Sequence, residues 1–306
     1  MKIATLATGG IGGYLAVRLT QAGHDVATIA RGAHLDAIRR DGLKLVSGEG
    51  DVTVRPWIAT DDTAEVGPVD AVILGVKGWS LDAAMEACRP MLGPDTVVVP
   101  FLNGVEASDL LAETLGAAHA ANGMAQISTT ISAPGVITQT GSFNSFVFAE
   151  RDSRPSPRID ALRKALEDAG VPAPATDDVE AAVWQKFVLF SAMSGVTAAA
   201  RCRVDDIRAT QVLQDTFRAA AEETAALGRA LGVALSDTVV DHVMSVLAGL
   251  PGEMRASTAI DLERGNRLET PWITGAVVRL SEAAGLACPV NRALLAVLTP
   301  HLAGRG

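Results

Sequence analysis

MKIATLATGGIGGYLAVRLTQAGHDVATIAR, residues 1–31, decides the fold. Lys2 to Ala7 is a short apolar run with the character of a strand. The loop Thr8-Gly9-Gly10-Ile11-Gly12-Gly13 follows at once, then a stretch with helical apolar spacing that ends at Gly23. A second strand-like run, Asp25 to Ala30, closes on Arg31. Strand, glycine turn, helix and strand in this order are the layout of a dinucleotide-binding domain. Glycines there let backbone N–H groups approach a pyrophosphate, whose charge sits against the positive end of the helix dipole. The full G-x-G-x-x-G pattern would place glycines at 7, 9 and 12, and the chain carries Ala7, Gly9 and Gly12. The close-approach and helix-packing glycines are kept, while the tight-turn position carries a methyl group.

The first half continues to alternate strands with helices. Val69 to Val76 and Thr96 to Phe101 are continuous Val- and Ile-rich runs, suited to parallel strands covered on both faces. Leu81 to Cys88 and Val105 to Leu115 fit crossover helices. From Gln126 to Glu150 the texture changes to Thr, Ser, Gly and alternating apolar residues, which predicts antiparallel strands appended to the sheet edge. A helix starts at Pro157 with Ser156 as its cap and ends at Gly170. Beyond the proline-rich connector at 171–178, strand signals vanish. Residues 179–200, 212–231, 238–247, 271–284 and 289–301 all carry helix-period apolar residues. The expected fold is therefore α/β, with an N-terminal Rossmann-type doubly wound domain over 1–177 and an all-α C-terminal domain over 178–306.

Length supports two cores, since 306 residues exceed the usual size of one. With 48% hydrophobic and 20% charged residues the chain is globular, not disordered. A net charge of −9 without a basic stripe argues against a nucleic-acid partner. The uncharged, strongly apolar run 187–200 is shorter than the roughly 20 residues of a membrane span. It reads as a helix buried on all sides, and no membrane partner is expected. Cys88, Cys202 and Cys288 are odd in number and widely spaced, as reduced thiols of a cytoplasmic protein would be. No signal peptide is expected ahead of the strand at Lys2. The five histidines show no metal-ligand spacing, and no G-x-S-x-G elbow supports a serine hydrolase.

The end of the second strand bears on which dinucleotide is preferred. NAD-preferring domains place Asp or Glu there to bind the ribose 2′-OH, whereas this chain has Ala30, Arg31 and Gly32. Arg31 can pair with a 2′-phosphate and stack on adenine, so NADPH is favoured over NADH. The competing reading is a plain surface arginine in a loop. Asp36 and Asp41 lie farther on and are poor substitutes.

Several ordered segments carry a family resemblance: ATGGIGGYLAVRL at 7–19, LGVKGWSL at 74–81, LNGVE at 102–106, VWQKF at 183–187 and ASTAIDLERGNRLETPWITGAVVRL at 256–280. Over essentially its whole length the chain resembles the ketopantoate reductases (2-dehydropantoate 2-reductases). The resemblance implies NADPH-dependent reduction of the ketone of a 2-keto acid, with a small-molecule substrate held between the two domains. It also implies that the loop residues Ala7, Gly9, Gly10, Ile11 and Gly12 meet the cofactor.

Each further site residue has a physical reading beside the one the resemblance implies. Lys186 lies in a helix among Val183, Trp184, Phe187 and Val188, where desolvation would lower its pKa toward that of a working general acid. Its alternative is a lysine that snorkels at a domain edge. Glu269, implied to bind the substrate hydroxyl and place the lysine, can also be read as a surface charge at a helix start. Ser257, implied to hold the substrate carboxylate, competes with a helix N-cap. Asn103, implied to orient nicotinamide and substrate, competes with a plain Asn-Gly turn. Lys77, at the end of the run 69–76, is placed to meet a cofactor ribose, the substrate or solvent.

Two positions depart from the family. Asparagines usually stand four and eight residues past the lysine, and here those substrate-lining places hold Phe190 and Ser194. A pocket that loses a polar partner discriminates differently, which leaves room for a more apolar 2-keto acid. A hydroxyacid or opine-type dehydrogenase and a non-catalytic nucleotide sensor are the competing functional readings. No metal is expected, and the oligomer is a monomer or homodimer.

Overall fold

The computed structural model describes residues 1–305, which form two compact units. One comprises residues 1–102 with 106–180, and the other residues 103–105 with the chain from 181 onward. The first unit runs β1 (Lys2–Leu6), α1 (Gly10–Gln21), β2 (Asp25–Ile29), α2 (Gly32–Asp41), β3 (Leu43–Val46), β4 (Val52–Val54) and β5 (Ile58–Thr60). It continues through β6 (Val69–Leu74), α3 (Leu81–Cys88), β7 (Leu92–Pro100), α4 (Ala107–Leu115), β8 (Ala121–Ala133), β9 (Val136–Glu150) and α5 (Pro157–Asp168). Five strands form a parallel sheet in the order β5-β2-β1-β6-β7.

Period-two alternation explains why this sheet needs helices on both sides. Ile3, Ala71, Ile73, Val97 and Val99 pack on one face with α1, α2 and α5. Ala4, Leu6, Val72, Leu74 and Val98 pack on the other with α3 and α4. All of these side chains are buried. The strand order reverses between β1 and β6, and the glycine loop leaves the carboxyl end of β1 at that point, where ligands bind in open α/β sheets.

The stretch after residue 120 is a hairpin as its pattern predicts, but it does not extend the edge of the parallel sheet. β8 and β9 pair antiparallel and join a second sheet, ordered β4-β3-β9-β8. A single bridge, Val98 to Ala120, links this region to β7. Packing draws the hairpin inward. Phe146 stacks against Tyr14 of α1, and Phe101 meets Phe146 and Phe148 edge-on. The strands β3, β4 and β5 have four, three and three residues, too few for a period-two pattern to be read. Ser156 does stand at the N-cap of α5, yet its side chain makes no capping bond. Its hydroxyl is hydrogen-bonded instead to Glu150.

The second unit is helical: α6 (Val179–Ala199), α7 (Val204–Ala209), α8 (Gln211–Ala230), α9 (Val239–Gly249), α10 (Ser257–Arg264), α11 (Thr274–Ala283) and α12 (Pro289–Leu298). α6 is apolar around its circumference because neighbours cover it on opposite sides. Val188, Ala192 and Val196 pack with Phe217 and Ala221 of α8 and Val243 of α9. Trp184 and Phe187 pack with Ile273, Ala276 and Val277 around α11. Glu223 of α8 accepts the N–H groups of Val290 and Asn291, which caps α12 from a neighbouring helix. α7, with six residues, is too short to show a helical period, and α10 shows in the sequence only as the N-cap alternative at Ser257. Among the described residues, no helix is long and apolar enough to cross a membrane.

Candidate functional site

In the first unit, the glycines of the loop have different physical reasons to be there. A Cβ on Gly9 would meet nothing within 4 Å, so the backbone is open to an approaching group. A Cβ on Gly12 would lie 2.4 Å from the carbonyl oxygen of Ala7, which makes glycine the condition for α1 to pack against β1. Gly10 and Gly13 are packed by the hairpin: their Cβ atoms would fall 2.5 Å from the Thr129 carbonyl oxygen and 2.6 Å from the Ile137 side chain. Ala7 takes the left-handed conformation with φ 63°, so its methyl strains the turn that glycine would make without cost. Ile11 packs its side chain on the unit's core.

Arg31 stands at the N-cap of α2, exposed, with no capping bond from its side chain. Lys77 does not end β6. The strand stops at Leu74, and Lys77 is an exposed residue that heads the 3-10 turn Gly78–Ser80. His34 of α2 joins the glycine loop to the hairpin. Its Nε2 lies 2.9 Å from the Thr8 carbonyl oxygen, and the Gly135 N–H donates to its Nδ1 at 2.9 Å. No local signal marks it, since Gly135 lies 101 residues away. An open Gly9 at the start of a 12-residue helix with no acid in its first turn fits a dinucleotide, as does the outward Arg31.

In the second unit, α6 carries Lys186 to a small cluster. Its Nζ donates to Asn103 Oδ1 at 3.4 Å and lies 5.4 Å from the centre of the Phe190 ring. The lysine residue keeps part of its surface open, but its ammonium is desolvated and pushed down to about 8, with the Glu269 carboxylate pulling the other way. Glu269 is buried at 5% exposure, ahead of the 3-10 turn Thr270–Trp272, so it is not the surface charge that its place near a helix start permits. Asn103 is more than a turn residue, because its side chain accepts from Lys186. The glycine after it is obligatory: Gly104 has φ 101°, and a Cβ there would lie 2.8 Å from the Trp272 carbonyl oxygen.

The structure thus brings Asn103, Lys186 and Phe190 together, with the Glu269 carboxylate acting on the ammonium electrostatically. Ser194 is buried one turn beyond Phe190, and its hydroxyl has no partner among the described residues. Ser257 is the first residue of α10 and exposed; Ala256 occupies the N-cap, so the capping alternative does not hold. Cys88, Cys202 and Cys288 are buried free thiols, and burial pushes Cys88 up to about 12. No cluster able to hold a metal ion occurs among the described residues.

A Rossmann-type domain followed by a helical unit that carries a desolvated lysine fits a dinucleotide-dependent oxidoreductase. Residues 3–153 match the family model for ketopantoate reductase PanE/ApbA, and residues 178–301 match its C-terminal counterpart. A 2-dehydropantoate 2-reductase of Mesorhizobium japonicum is 30% identical over 330 aligned positions, covering 100% of this chain and 99% of the relative. A PanE/ApbA family ketopantoate reductase of Ralstonia eutropha superposes with a TM-score of 0.90 at 30% identity, covering 98% of each chain. A D-mandelate dehydrogenase bound to NADH and anilino(oxo)acetate shares the fold, with a TM-score of 0.87 at 22% identity and 98% coverage of each chain. The chain belongs to the ketopantoate reductase family and is an oxidoreductase of the 2-dehydropantoate 2-reductase type.

Proposed function

We propose that the enzyme reduces the ketone of a 2-keto acid to the 2-hydroxy acid with NADPH, Lys186 acting as the general acid. The observation that carries this reading is the Lys186 ammonium, desolvated to a pKa of about 8 beside Asn103 and under the influence of Glu269. When bound, the reduced nicotinamide supplies a hydride to the ketone carbon. Negative charge then develops on the ketone oxygen, and the protonated Lys186 amine stabilises it and delivers the proton. A pKa of about 8 keeps the amine charged at neutral pH while bringing it close to the pH at which it must give up a proton. Asn103 orients the amine through its Oδ1, and Glu269 favours the charged form.

The remaining roles rest on the family resemblance. Glu269 receives the substrate hydroxyl, and Ser257 the substrate carboxylate. Asn103 also lies against the nicotinamide. The backbone from Ala7 through Gly9, Gly10, Ile11 and Gly12 takes the pyrophosphate, and Lys77 meets the cofactor ribose or the substrate. Arg31 takes the 2′-phosphate, with 1–177 as the cofactor domain and 178–306 as the catalytic domain. A small 2-keto acid is the partner, in a cytoplasmic enzyme that is a monomer or homodimer.

A second reading concerns the substrate. The Phe190 ring stands beside the Lys186 ammonium where the family usually has asparagine. This favours a 2-keto acid more apolar than ketopantoate, since the site offers a ring face in place of an amide. A panel of 2-keto acids assayed with NADPH and NADH side by side tests both readings. We expect NADPH to be preferred, and Phe190→Asn with Ser194→Asn to move the profile toward ketopantoate. NADPH left unoxidised by every 2-keto acid refutes the activity. A profile untouched by the double substitution refutes the specificity argument.

A further inference from the structure

His34 stands outside the chemistry, yet it ties the glycine loop to the hairpin turn by hydrogen bonds at both ends of its ring. Its two bonds determine its tautomer. The Gly135 N–H is a donor, so Nδ1 must be the unprotonated acceptor. The proton is then on Nε2, which donates to the Thr8 carbonyl oxygen. Burial lowers the imidazole below its ordinary value, in keeping with a ring that stays neutral at pH 7.

The consequence for the loop follows from peptide geometry. The Thr8 carbonyl and the Gly9 N–H belong to one planar trans unit and point in opposite directions. Holding the Thr8 oxygen against His34 therefore aims the Gly9 N–H away from the ring. Gly9 is the N-cap of α1, and it is the loop glycine whose Cβ would meet open space. Ala7, immediately before Thr8, is in the strained left-handed region, so this turn has a reason to relax if it is not held. The turn on the other side is itself anchored. The Gly135 carbonyl oxygen accepts from the Lys44 N–H at 2.8 Å, and a Cβ on Gly135 would fall 2.9 Å from Ala37 of α2.

We propose that His34 is a positioning residue for dinucleotide binding, bridging Thr8 and Gly135 so that the loop presents the Gly9 N–H to the cofactor phosphates. The proposal rests on the reading that the loop binds NADPH. Affinity for the cofactor is then the quantity that His34 controls, while the reacting groups of the second unit are left as they are.

The test measures the NADPH dissociation constant by fluorescence, together with steady-state kinetics, for the parent, His34→Leu and His34→Gln. Leucine removes both bonds. The glutamine amide can donate through nitrogen and accept through oxygen, as the neutral ring does. We expect His34→Leu to bind NADPH about tenfold more weakly, equivalent to ~1.4 kcal/mol. Its kcat at saturating NADPH and its KM for the keto acid should stay within about twofold of the parent. His34→Gln should recover most of the lost affinity. If the leucine variant does not fold, His34→Asn replaces it, with a side chain too short to span both partners. A merely structural histidine would lower the melting temperature and leave the dissociation constant alone, and that result overturns the proposal. So does a glutamine variant that binds no better than the leucine or asparagine variant. A parent that binds neither NADPH nor NADH overturns the cofactor reading and this proposal together, whereas a parent that binds beside an unimpaired His34→Leu overturns this proposal alone.

Discussion

Lys186→Met should cripple reduction and at the same time stabilise the protein. Desolvation lowers the Lys186 ammonium from an ordinary 10.5 to about 8, even with Glu269 opposing it. One pKa unit corresponds to ~1.4 kcal/mol, so below pH 8 the charged amine burdens the folded state by up to ~3 kcal/mol. Between about 8 and 10.5 the unfolded chain holds a proton that the folded chain has lost, and stability from this group rises with pH across that window. Methionine fills a similar volume without a charge. It forfeits the 3.4 Å bond to Asn103 and the contact with the Phe190 ring, together worth ~1 kcal/mol. Part of the lysine is open to solvent, which reduces the burden further. The net expectation is a gain of about 1–2 kcal/mol at pH 7 and a smaller gain at pH 9.5. Urea unfolding followed by tryptophan fluorescence measures it, with Trp184 two residues from the substitution. Turnover should fall by ~100-fold or more, the usual worth of a general acid. A methionine variant that is less stable than the parent at pH 7 would refute the desolvation argument, and one that turns over normally would refute the proton-donor role.

Three further outcomes follow from single contacts. Glu269→Gln removes the carboxylate that raises the lysine, so the high-pH loss of kcat/KM should move from about 8 to lower pH; a profile from pH 6 to 10 shows whether it does. Ala7→Gly relieves a φ of 63° that costs ~1–2 kcal/mol, offset by ~0.5–1 kcal/mol of glycine entropy, so thermal unfolding should show a gain of up to ~1 kcal/mol. Glu223→Ala leaves the Val290 and Asn291 N–H groups without their acceptor at the start of α12, and urea unfolding should show a loss of ~2 kcal/mol while KM for NADPH is unchanged.

What could be read along the chain was whatever depends on long local patterns. The 21 residues of α6 are recognisable because their apolar run outlasts a strand, and β6 and β7 because both faces of a parallel strand are covered. The strand-glycine-helix order at 1–31 is local too, so the glycine loop between β1 and α1 is legible in the sequence. The strands β3 to β5 and the six-residue helix α7 were not, since a period needs more residues than they contain. The hairpin was visible as a hairpin, but its sheet was not. Its partner β3 lies about ninety residues earlier in the chain, and pairing across such a distance leaves no local trace.

The candidate site divides in the same way. Residue types and spacing singled out Lys186, Asn103 and Glu269, because each stands in a recognisable segment. Only tertiary packing decided that Glu269 is buried, that the Lys186 ammonium is desolvated between Asn103 and the Phe190 ring, and that Ala256 rather than Ser257 occupies the N-cap of α10. The same holds for the opening glycines. In the sequence they are one motif, and in the fold they separate into an open Gly9, a Gly12 against Ala7, and Gly10 and Gly13 under the hairpin. His34 shows the limit of a one-dimensional reading most plainly. Its partners stand 26 and 101 residues away, so its hold on the loop exists only once the chain has folded.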